Sequence, residues 1–195
     1  YDVIILGAGA AGLMAAITAS RRNRKILVLE KSNKVGKKIL MSGGGRCNFT
    51  NQYINYDNFI SDNNHFCKAA LSRYSSQDFL DMVESHNIRY EKRKNNQYFC
   101  INSSKDILNM LLVECGKKNV EIKTHCEVNF VTTFNKNKDV NNNYRYKIEG
   151  KSLLENTINN FDFYSDSLVI ATGGLSVPTL GGSGYGYNIA KQFSL

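Results

Sequence analysis

The stretch Asp2-Val3-Ile4-Ile5-Leu6-Gly7-Ala8-Gly9-Ala10-Ala11-Gly12 contains the pattern that best indicates the fold of this chain. It is an apolar run that leads directly into the spacing G-x-G-x-x-G. A helical pattern begins near Ala10, and the next apolar run ends on an acid at Glu30. A strand, a glycine turn, a helix, a second strand and an acid in this order are typical of the βαβ unit that binds a dinucleotide.

The glycines and the acid of this pattern each have a mechanical reason. Gly7 permits the tight turn after the strand, Gly9 lets a pyrophosphate approach the backbone, and Gly12 lets the helix pack close to the sheet. The free N–H groups at the start of the helix attract the phosphates. Glu30 lies 18 residues after Gly12, where a carboxylate accepts hydrogen bonds from a ribose. An ordinary glycine-rich turn is the alternative, and it leaves Glu30 unexplained.

The bulk composition fits a globular protein. The chain has 195 residues, a hydrophobic content of 42% and a net charge of +8, which is enough for one large domain or parts of two. The apolar stretch Ala10–Ala19 is too short to span a bilayer, and no secretory signal precedes the first strand. We therefore expect a cytoplasmic protein without a membrane partner.

Cysteine spacing argues against structural disulfides and bound metal. The five cysteines include no C-x-x-C pair, and the three histidines have no ligand spacing, so no metal site is predicted. The basic run Arg21, Arg22, Arg24 and Lys25 follows the first helix, where cations complement the helix C-terminus. Because no basic stripe alternates with aromatic residues, a nucleic-acid partner is not expected.

Hydrophobic periodicity extends the α/β pattern along the chain. Two helices are predicted within residues 65–90, and another over Lys105–Lys118. The period then changes to two, which predicts a small antiparallel meander over about residues 120–165. A buried strand leads into a second glycine turn over Ser167–Gly174, and a last helix starts at Tyr187. The predicted fold class is α/β, a doubly wound Rossmann-like sheet with this meander inserted.

A second glycine-rich stretch, Gly43-Gly44-Gly45, is followed directly by Arg46-Cys47-Asn48. Three consecutive glycines cost conformational entropy, so we expect this backbone to pass close to a flat or bulky group. A flexible loop is the alternative. Cys47 is either a reactive thiol or a small packing residue, and the second is favoured because no resolving cysteine is close in sequence.

Three stretches together resemble the BaiN-type NAD(P)/FAD-dependent oxidoreductases, also known as aminoacetone-oxidase-like flavoproteins. They are Asp2–Leu13, Gly36–Asn51 and Leu168–Pro178, and the run Gly-Gly-Gly-Arg-Cys-Asn is the specific one. The resemblance implies an FAD-binding domain of the glutathione-reductase type, with FAD as cofactor. NAD(P)H as the reductant rests on the resemblance alone, because the chain has no second G-x-G-x-x-G.

The strand pattern predicts that the chain is the N-terminal portion of a longer protein, or that the remainder is removed or disordered. The resemblance implies that residues 1–195 are the N-terminal part of an FAD/NAD(P)-binding domain. Only three strong parallel strands are visible, fewer than an open sheet with helices on both faces normally has. The resemblance implies that an insertion domain and a final FAD-binding segment are absent from this chain. One departure from the family is Tyr185, which lies between two glycines where an acid is usual.

The resemblance also implies cofactor contacts residue by residue. The adenosine ribose would bind Glu30 with Lys31 beside it, and the adenine would meet the backbone of Val128. Arg46 is the candidate for stabilising negative charge on the reduced flavin. The pyrophosphate would lie against Gly7, Gly9, Ala10, Ala11 and Gly12. The remaining contacts, towards the flavin and the middle of the cofactor, would be Lys38, Met41, Ser42, Gly43, Arg46, Cys47, Asn48, Ala171, Thr172 and Gly173.

Three functions remain open at this point. The first is an FAD-dependent oxidoreductase acting on a small molecule. The second is an NAD-dependent dehydrogenase, against which the meander and the second glycine turn argue. The third is a non-catalytic FAD-binding protein, of a regulatory or RNA-modification kind. The sequence identifies neither a catalytic residue nor a substrate, and it does not indicate the oligomeric state.

Overall fold

A computed structural model describes residues 1–134, 144–154, 157–175 and 182–195. The chain divides into two units, each of which is described by itself. Unit 1 comprises Tyr1–Lys38 and Leu111–Leu195, and unit 2 comprises Ile39–Met110. No helix in the described ranges is both long and apolar enough to cross a membrane.

Unit 1 is built on four parallel strands, which are β1 (Val3–Leu6), β2 (Ile26–Leu29), β6 (Glu121–Lys123) and β10 (Ser167–Ile170). They lie in the order β10-β1-β2-β6, so β1 and β2 are the inner strands. Every residue of β2 is buried, as are the last three of β1. Such continuous apolar runs are typical of parallel strands that are covered on both faces.

Four helices belong wholly or partly to unit 1. They are α1 (Ala10–Ser20), α2 (Lys37–Met41), α5 (Ser104–Gly116) and α6 (Tyr185–Gln192). The bounds between the units fall inside α2 and α5. α1 follows β1 after a short turn, and it buries Leu13, Ala16 and Ile17. The Cys115 Sγ of α5 lies 3.9 Å from the Leu13 carbonyl, which fixes the end of α5 against α1.

The predicted meander is present in unit 1. Its strands are β7 (Cys126–Thr133), β8 (Tyr146–Leu154) and β9 (Thr157–Ser165), paired antiparallel in chain order. One buried cluster joins the meander to the parallel sheet. Its members are Ile4, Leu6, Leu27, Leu29, Cys126 and Ile148.

The predicted start of the meander is wrong in one respect. The alternation after residue 120 is not one strand, because β6 pairs with β2 in the parallel sheet and the meander begins only at Cys126. His125 separates the two strands: it has a φ of +57° and its N–H donates to the Ser32 carbonyl at 3.0 Å. The parallel sheet therefore has four described strands rather than the three that the sequence indicates.

Unit 2 contains a three-stranded antiparallel sheet that the sequence analysis did not predict. Its strands are β3 (Asn48–Asn51), β4 (Tyr90–Lys92) and β5 (Gln97–Cys100), in the order β3-β5-β4. They are too short for a clear period of two, and aromatic contacts hold them together. The ring centroid of Tyr90 lies 5.4 Å from that of Tyr98 and 5.9 Å from that of Phe49.

The two helices predicted within residues 65–90 are both present. They are α3 (Lys68–Arg73) and α4 (Ser76–Ser85). α4 starts with a capping box, in which Ser75 and Asp78 each accept a hydrogen bond from the other's backbone N–H.

Candidate cofactor site

The three glycines of the turn between β1 and α1 differ in the space around them. Gly7 has a φ of +101°, and a Cβ there would lie 2.5 Å from the Ala171 carbonyl oxygen. A Cβ on Gly12 would lie 1.9 Å from the Gly7 oxygen. A Cβ on Gly9, by contrast, would meet nothing within 4 Å. Gly7 and Gly12 are thus required by the protein's own packing, whereas Gly9 leaves open space at the surface of the turn.

The N-terminus of α1 faces this turn without a cap of its own. Gly9 is the N-cap residue and has extended backbone, with no side chain to accept from the first turn of the helix. That turn contains Ala10, Ala11 and Gly12 and no acidic residue. The uncapped N–H groups and the positive end of the helix dipole suit an anionic group such as a phosphate.

Glu30 contacts the turn directly. One carboxylate oxygen accepts a hydrogen bond from the Ala8 N–H and the other from the Ser32 N–H, each at 2.8 Å. Sequence reasoning assigned Glu30 to the ribose and missed this role in holding the glycine turn against the end of β2. Lys31 beside it points elsewhere, since its Nζ lies 2.6 Å from a Glu127 carboxylate oxygen.

The segment after β10 lies against the same turn. The Ala171 N–H donates to the Leu6 carbonyl at 2.8 Å, which continues the pairing of β10 with β1. Gly173 has a φ of +74°, and a Cβ there would lie 3.2 Å from the Lys38 Nζ. The carboxyl ends of β1 and β10 thus form the edge at which doubly wound sheets bind their ligands, with a lysine close by.

Two hydroxyl groups near this edge are buried and make no hydrogen bond within the described residues. They are Thr172 Oγ1 and Tyr185 OH. A Cβ on Gly186 would lie 3.1 Å from Thr172 Oγ1, so α6 starts beside the segment after β10. Burial raises the pKa of Tyr185 to about 12, so its hydroxyl stays protonated at neutral pH. Buried unpaired hydroxyls cost free energy, and a bound ligand could supply their partner.

Val128 lies on the meander strand that starts next to Glu30. The Cys126 N–H donates to the Glu30 carbonyl at 2.9 Å, and Val128 follows two residues later. It pairs with Gly150 and is half-buried against the core of unit 1. The β7–β8 register shifts just after this pair. Strand β7 thus places Val128 near the end of the parallel sheet at which Glu30 lies.

The second glycine stretch, in unit 2, is a defined left-handed turn. Gly43, Gly44 and Gly45 have φ values of +57°, +66° and +82°. A Cβ on Gly43 would lie 2.7 Å from a ring carbon of Phe99 and 2.8 Å from the Asn48 nitrogen. Gly44 and Gly45 have nothing within 4 Å of that position, so two glycines of the run are open on that side.

Arg46 is held through its backbone and leaves its side chain half-exposed. Its carbonyl accepts a hydrogen bond from the Cys100 N–H at 2.9 Å. One guanidinium nitrogen lies 3.8 Å from a Glu91 carboxylate oxygen, and Arg93 approaches the same oxygen at 2.6 Å. Arg93 is therefore the stronger partner of Glu91, and the Arg46 guanidinium is only weakly engaged.

The environment of Cys47 favours the packing role. Cys47 is only 5% exposed and has a φ of +48°, an uncommon value for a residue with a side chain. Burial raises the pKa of its thiol, and a hydrogen bond with the Ser42 side chain opposes part of that effect. The thiolate that a nucleophile needs is thus disfavoured.

The predicted cofactor residues fall into two groups, one on each unit. In unit 1 the structure brings together Gly7, Gly9, Ala10, Ala11, Gly12, Glu30, Lys38, Ala171, Thr172 and Gly173, with Lys31 and Val128 beside them. In unit 2 the left-handed turn and its flanks contain Met41, Ser42, Gly43, Arg46, Cys47 and Asn48. Met41 is 63% exposed and Asn48 is exposed at the start of β3.

A cleft of about 950 Å³ lies elsewhere in unit 1, along the outer edge of β10. It is lined by Tyr146, Leu168, Ile170, Ile189 and Phe193 among others. None of the predicted cofactor residues lines it, so volume alone does not identify the candidate site.

The comparison with protein families gives a match over the whole chain. The model of the HI0933-like protein Rossmann domain matches residues 1–195. The chain belongs to this family of flavoproteins.

Two curated relatives match nearly all of the chain. It is 43% identical over 195 residues to the ribosomal RNA dihydrouridine synthase of Escherichia coli (strain K12), covering 100% of this chain and 45% of that protein. It is 26% identical over 190 residues to the 3-dehydro-bile acid delta(4,6)-reductase of Clostridium scindens, covering 96% of this chain and 42% of that protein. The chain thus spans just under half the length of these relatives.

Solved structures share the fold. The 3-ketosteroid-delta4-(5alpha)-dehydrogenase of Rhodococcus jostii RHA1 superposes with a TM-score of 0.62 at 14% identity, covering 89% of this chain and 46% of that chain. At so low an identity the likeness concerns the fold alone.

These findings confirm the predicted Rossmann-like FAD-binding fold class and an enzyme family of flavoprotein oxidoreductases. They support FAD as cofactor and leave NAD(P)H a prediction. The narrower BaiN-type assignment is not confirmed, since the relative named for rRNA dihydrouridine synthesis is the more similar of the two. For the same reason, the expectation that the protein has no nucleic-acid partner is not confirmed.

Proposed function

We propose that this chain is the cofactor-binding part of an FAD-dependent oxidoreductase that reduces uridine to dihydrouridine in ribosomal RNA, with NAD(P)H as electron donor. The observation that carries the proposal is the 43% identity to the E. coli synthase, which extends over all 195 residues and so includes both glycine stretches. The bile-acid reductase reaches 26% over a similar length.

The residues at the carboxyl edge of the unit 1 sheet fit FAD. The open face of Gly9 and the uncapped start of α1 would receive the pyrophosphate. The Lys38 ammonium near Gly173 would offset phosphate charge. Glu30 would accept from a ribose hydroxyl while it continues to hold the Ala8 N–H, since a carboxylate has acceptor capacity for both.

FAD, when bound, supplies hydride transfer. In the proposed reaction a hydride and a proton add across the C5=C6 bond of uridine, and NAD(P)H is oxidised to NAD(P)⁺. The protein's contribution is to position the cofactor through the unit 1 residues. Arg46 is proposed to favour the reduced cofactor, because its half-exposed guanidinium is only weakly engaged by Glu91 and can stabilise negative charge.

A second candidate function is reduction of a conjugated double bond in a small molecule. It is favoured by the match to the bile-acid reductase over 96% of this chain. The two reactions share one requirement, since each delivers a hydride to a carbon–carbon double bond conjugated with a carbonyl. The same cofactor domain can therefore serve either, and substrate choice separates them.

The test uses the full-length protein. A visible flavin spectrum should be present, and NADH and NADPH are compared as reductants under anaerobic conditions. The reduced protein is then given an unmodified rRNA transcript or a 3-oxo-delta(4,6) steroid, and the products are examined by mass spectrometry. Dihydrouridine in the RNA supports the proposal. Reduction of the steroid alone overturns it in favour of the second candidate, and failure to bind any flavin overturns both.

The fit of the cofactor has a test that does not depend on activity. If the cofactor supplies the missing partner of the Thr172 hydroxyl, Thr172→Val weakens FAD binding by about tenfold, as expected for one lost hydrogen bond. The apoprotein should be at least as stable as before, because an unpaired buried hydroxyl is removed. Unchanged FAD affinity in Thr172→Val would contradict this contact.

A further inference from the structure

Two turns at the amino edge of the unit 1 sheet are built alike. Residues 21–25 connect α1 to β2, and residues 117–120 connect α5 to β6. The parallel register pairs Leu27 of β2 with Glu121 of β6. The residues just before these two neighbouring strands therefore lie side by side at the amino edge.

Each turn has two cations followed by an asparagine. Arg21-Arg22-Asn23 follows α1, and Lys117-Lys118-Asn119 follows α5. Asn23 and Asn119 have φ values of +54° and +53°, a conformation that asparagine adopts more readily than other residues with a side chain. Their N–H groups donate to the carbonyls of Ser20 and Gly116 at 3.0 and 3.2 Å. Both turns thus present their cations from a defined backbone.

The charge at this edge is strongly positive, and we name it the basic edge. Its members are all exposed and are Arg21, Arg22, Arg24, Lys25, Lys117 and Lys118. The nearby carboxylates already have partners: Asp2 lies 3.8 Å from the Arg24 guanidinium, and Glu114 lies 2.5 Å from the Lys117 ammonium. Glu121 pairs with Lys123 at 2.8 Å.

Four cations of the basic edge form no ion pair within the described residues. They are Arg21, Arg22, Lys25 and Lys118, none of which pairs with a carboxylate in the described ranges, and the Lys25 ammonium lies 5.0 Å from the centroid of the Tyr1 ring. A cation or two at each helix C-terminus is explained by the helix dipole. Adjacent exposed cations on two neighbouring turns repel one another, and a polyanion would relieve that repulsion.

The basic edge is separate from the cofactor site. It lies at the amino ends of β2 and β6, whereas Gly7, Glu30 and Gly173 lie at or beyond the carboxyl ends of the strands. Strands of four residues separate the two ends by roughly 13 Å. A ligand that contacts the basic edge while its reacting base reaches the cofactor must therefore extend over at least this distance, as a polynucleotide strand does.

We propose that the basic edge binds the phosphate backbone of the RNA substrate. The inference rests on the proposed function, which supplies an RNA. Arginine suits this role because its planar guanidinium can donate two parallel hydrogen bonds to one phosphate. Phosphate contacts position a nucleic acid without reading its sequence, so the basic edge contributes affinity and orientation rather than choice of uridine.

The test compares two triple variants of the full-length, FAD-loaded protein. Arg21→Gln, Arg22→Gln and Lys118→Gln together remove three of the four cations without an ion pair and leave Lys25 on the Tyr1 ring. The control, Lys94→Gln, Lys151→Gln and Lys191→Gln, removes three exposed cations from other surfaces. Binding to an unmodified rRNA fragment is measured between about 50 and 200 mM salt, where phosphate contacts appear as the slope of log K against log salt.

The first variant should bind RNA on the order of tenfold more weakly at the lower salt, with a slope smaller by about 2. Its KM for RNA should rise while kcat, FAD content and Tm stay unchanged. The control should change affinity less than about twofold. Arg21→Lys with Arg22→Lys, which keeps the charge, should keep the salt slope but lose part of the affinity, because an ammonium cannot donate the two parallel hydrogen bonds of a guanidinium.

The outcomes separate the two proposals. If the unsubstituted protein neither binds nor reduces RNA, the proposed function fails and the RNA-binding edge fails with it. If that protein reduces RNA but the first variant keeps the same affinity and salt slope, only the basic edge is overturned. If the first variant loses binding to anionic phospholipid vesicles but keeps its RNA binding, the basic edge binds a membrane surface instead, and the RNA proposal is overturned.

Discussion

The two glycine stretches of this protein use the same residue for different physical reasons. At Gly7 and Gly12 a side chain would collide with backbone, as close as 1.9 Å at Gly12. At Gly44 and Gly45 there is space for a Cβ, and it is the left-handed φ that disfavours one. The first stretch is dictated by close packing between strand, helix and turn, and the second mainly by backbone conformation.

This difference separates two kinds of evidence for a site. The first stretch contains one glycine, Gly9, that the protein's own packing does not require, and that glycine leaves the space a phosphate needs. In the second stretch only Gly43 is fixed by a neighbour, the Phe99 ring. The cofactor assignment is accordingly better supported in unit 1 than in unit 2.

Gly12→Ala should have the largest effect. Its Cβ would lie 1.9 Å from the Gly7 oxygen, so the helix must move away from the strand, at a cost of about 3 kcal/mol or more in unfolding free energy.

Gly9→Ala is the matched control, because its Cβ meets no protein atom and its φ is −82°. It should keep the stability of the apoprotein and lose FAD affinity. Urea unfolding and FAD titration measure the two effects. Equal stability of the two variants would contradict the packing argument.

Gly43→Ala should have the next largest effect. The new Cβ would lie 2.7 Å from Phe99 and would also need a left-handed φ, so we expect a loss of about 2 kcal/mol or more. Gly44→Ala needs only the left-handed φ and should cost about 1 kcal/mol. Gly44→Asn should cost less than Gly44→Ala. A Gly44 variant as unstable as Gly43→Ala would mean that the open face is occupied in the folded protein.

Glu30→Gln should weaken the first glycine turn. The carboxylate accepts from two backbone N–H groups with two oxygens, whereas an amide has one oxygen and its nitrogen would face a donor. We expect the unfolding free energy of the apoprotein to fall by about 1.5 kcal/mol, together with lower FAD affinity.

Glu127→Gln, which removes an exposed ion pair with Lys31, is the control and should lower the unfolding free energy by less than about 0.5 kcal/mol. Thermal unfolding without FAD distinguishes them. An apoprotein unaffected by Glu30→Gln would leave only the ribose role.

The thiol of Cys47 should react slowly, the smallest of the expected effects. Burial raises its pKa, so the thiolate fraction at neutral pH is below that of an ordinary thiol and increases as the pH is raised. Cys67 is only half-buried and should be alkylated by iodoacetamide first. Peptide mass mapping after timed alkylation at neutral pH gives the order. Labelling of Cys47 before Cys67 would restore the reactive-thiol hypothesis for the second glycine stretch.

Local pattern predicted most of unit 1 and little of the sheet in unit 2. The strand–turn–helix–strand unit over residues 2–30 was predicted because consecutive residues carry the whole signal. The strands of unit 2 have three or four residues and mixed polarity, so they show no usable period. The division at His125 was missed because a positive φ at a histidine leaves no mark on hydrophobic alternation.

The βαβ unit, its glycine turn and the dinucleotide-binding fold class follow from the order of neighbouring residues, because adjacent residues set backbone conformation and periodicity. Three features arise only when the chain is folded: Ala171 lies against Gly7, Glu30 accepts a hydrogen bond from the Ala8 N–H, and Lys118 lies on a turn beside that of Arg21. The first and last of these join residues nearly a hundred or more positions apart. Such contacts follow from strand register and packing, which no local pattern of residues encodes.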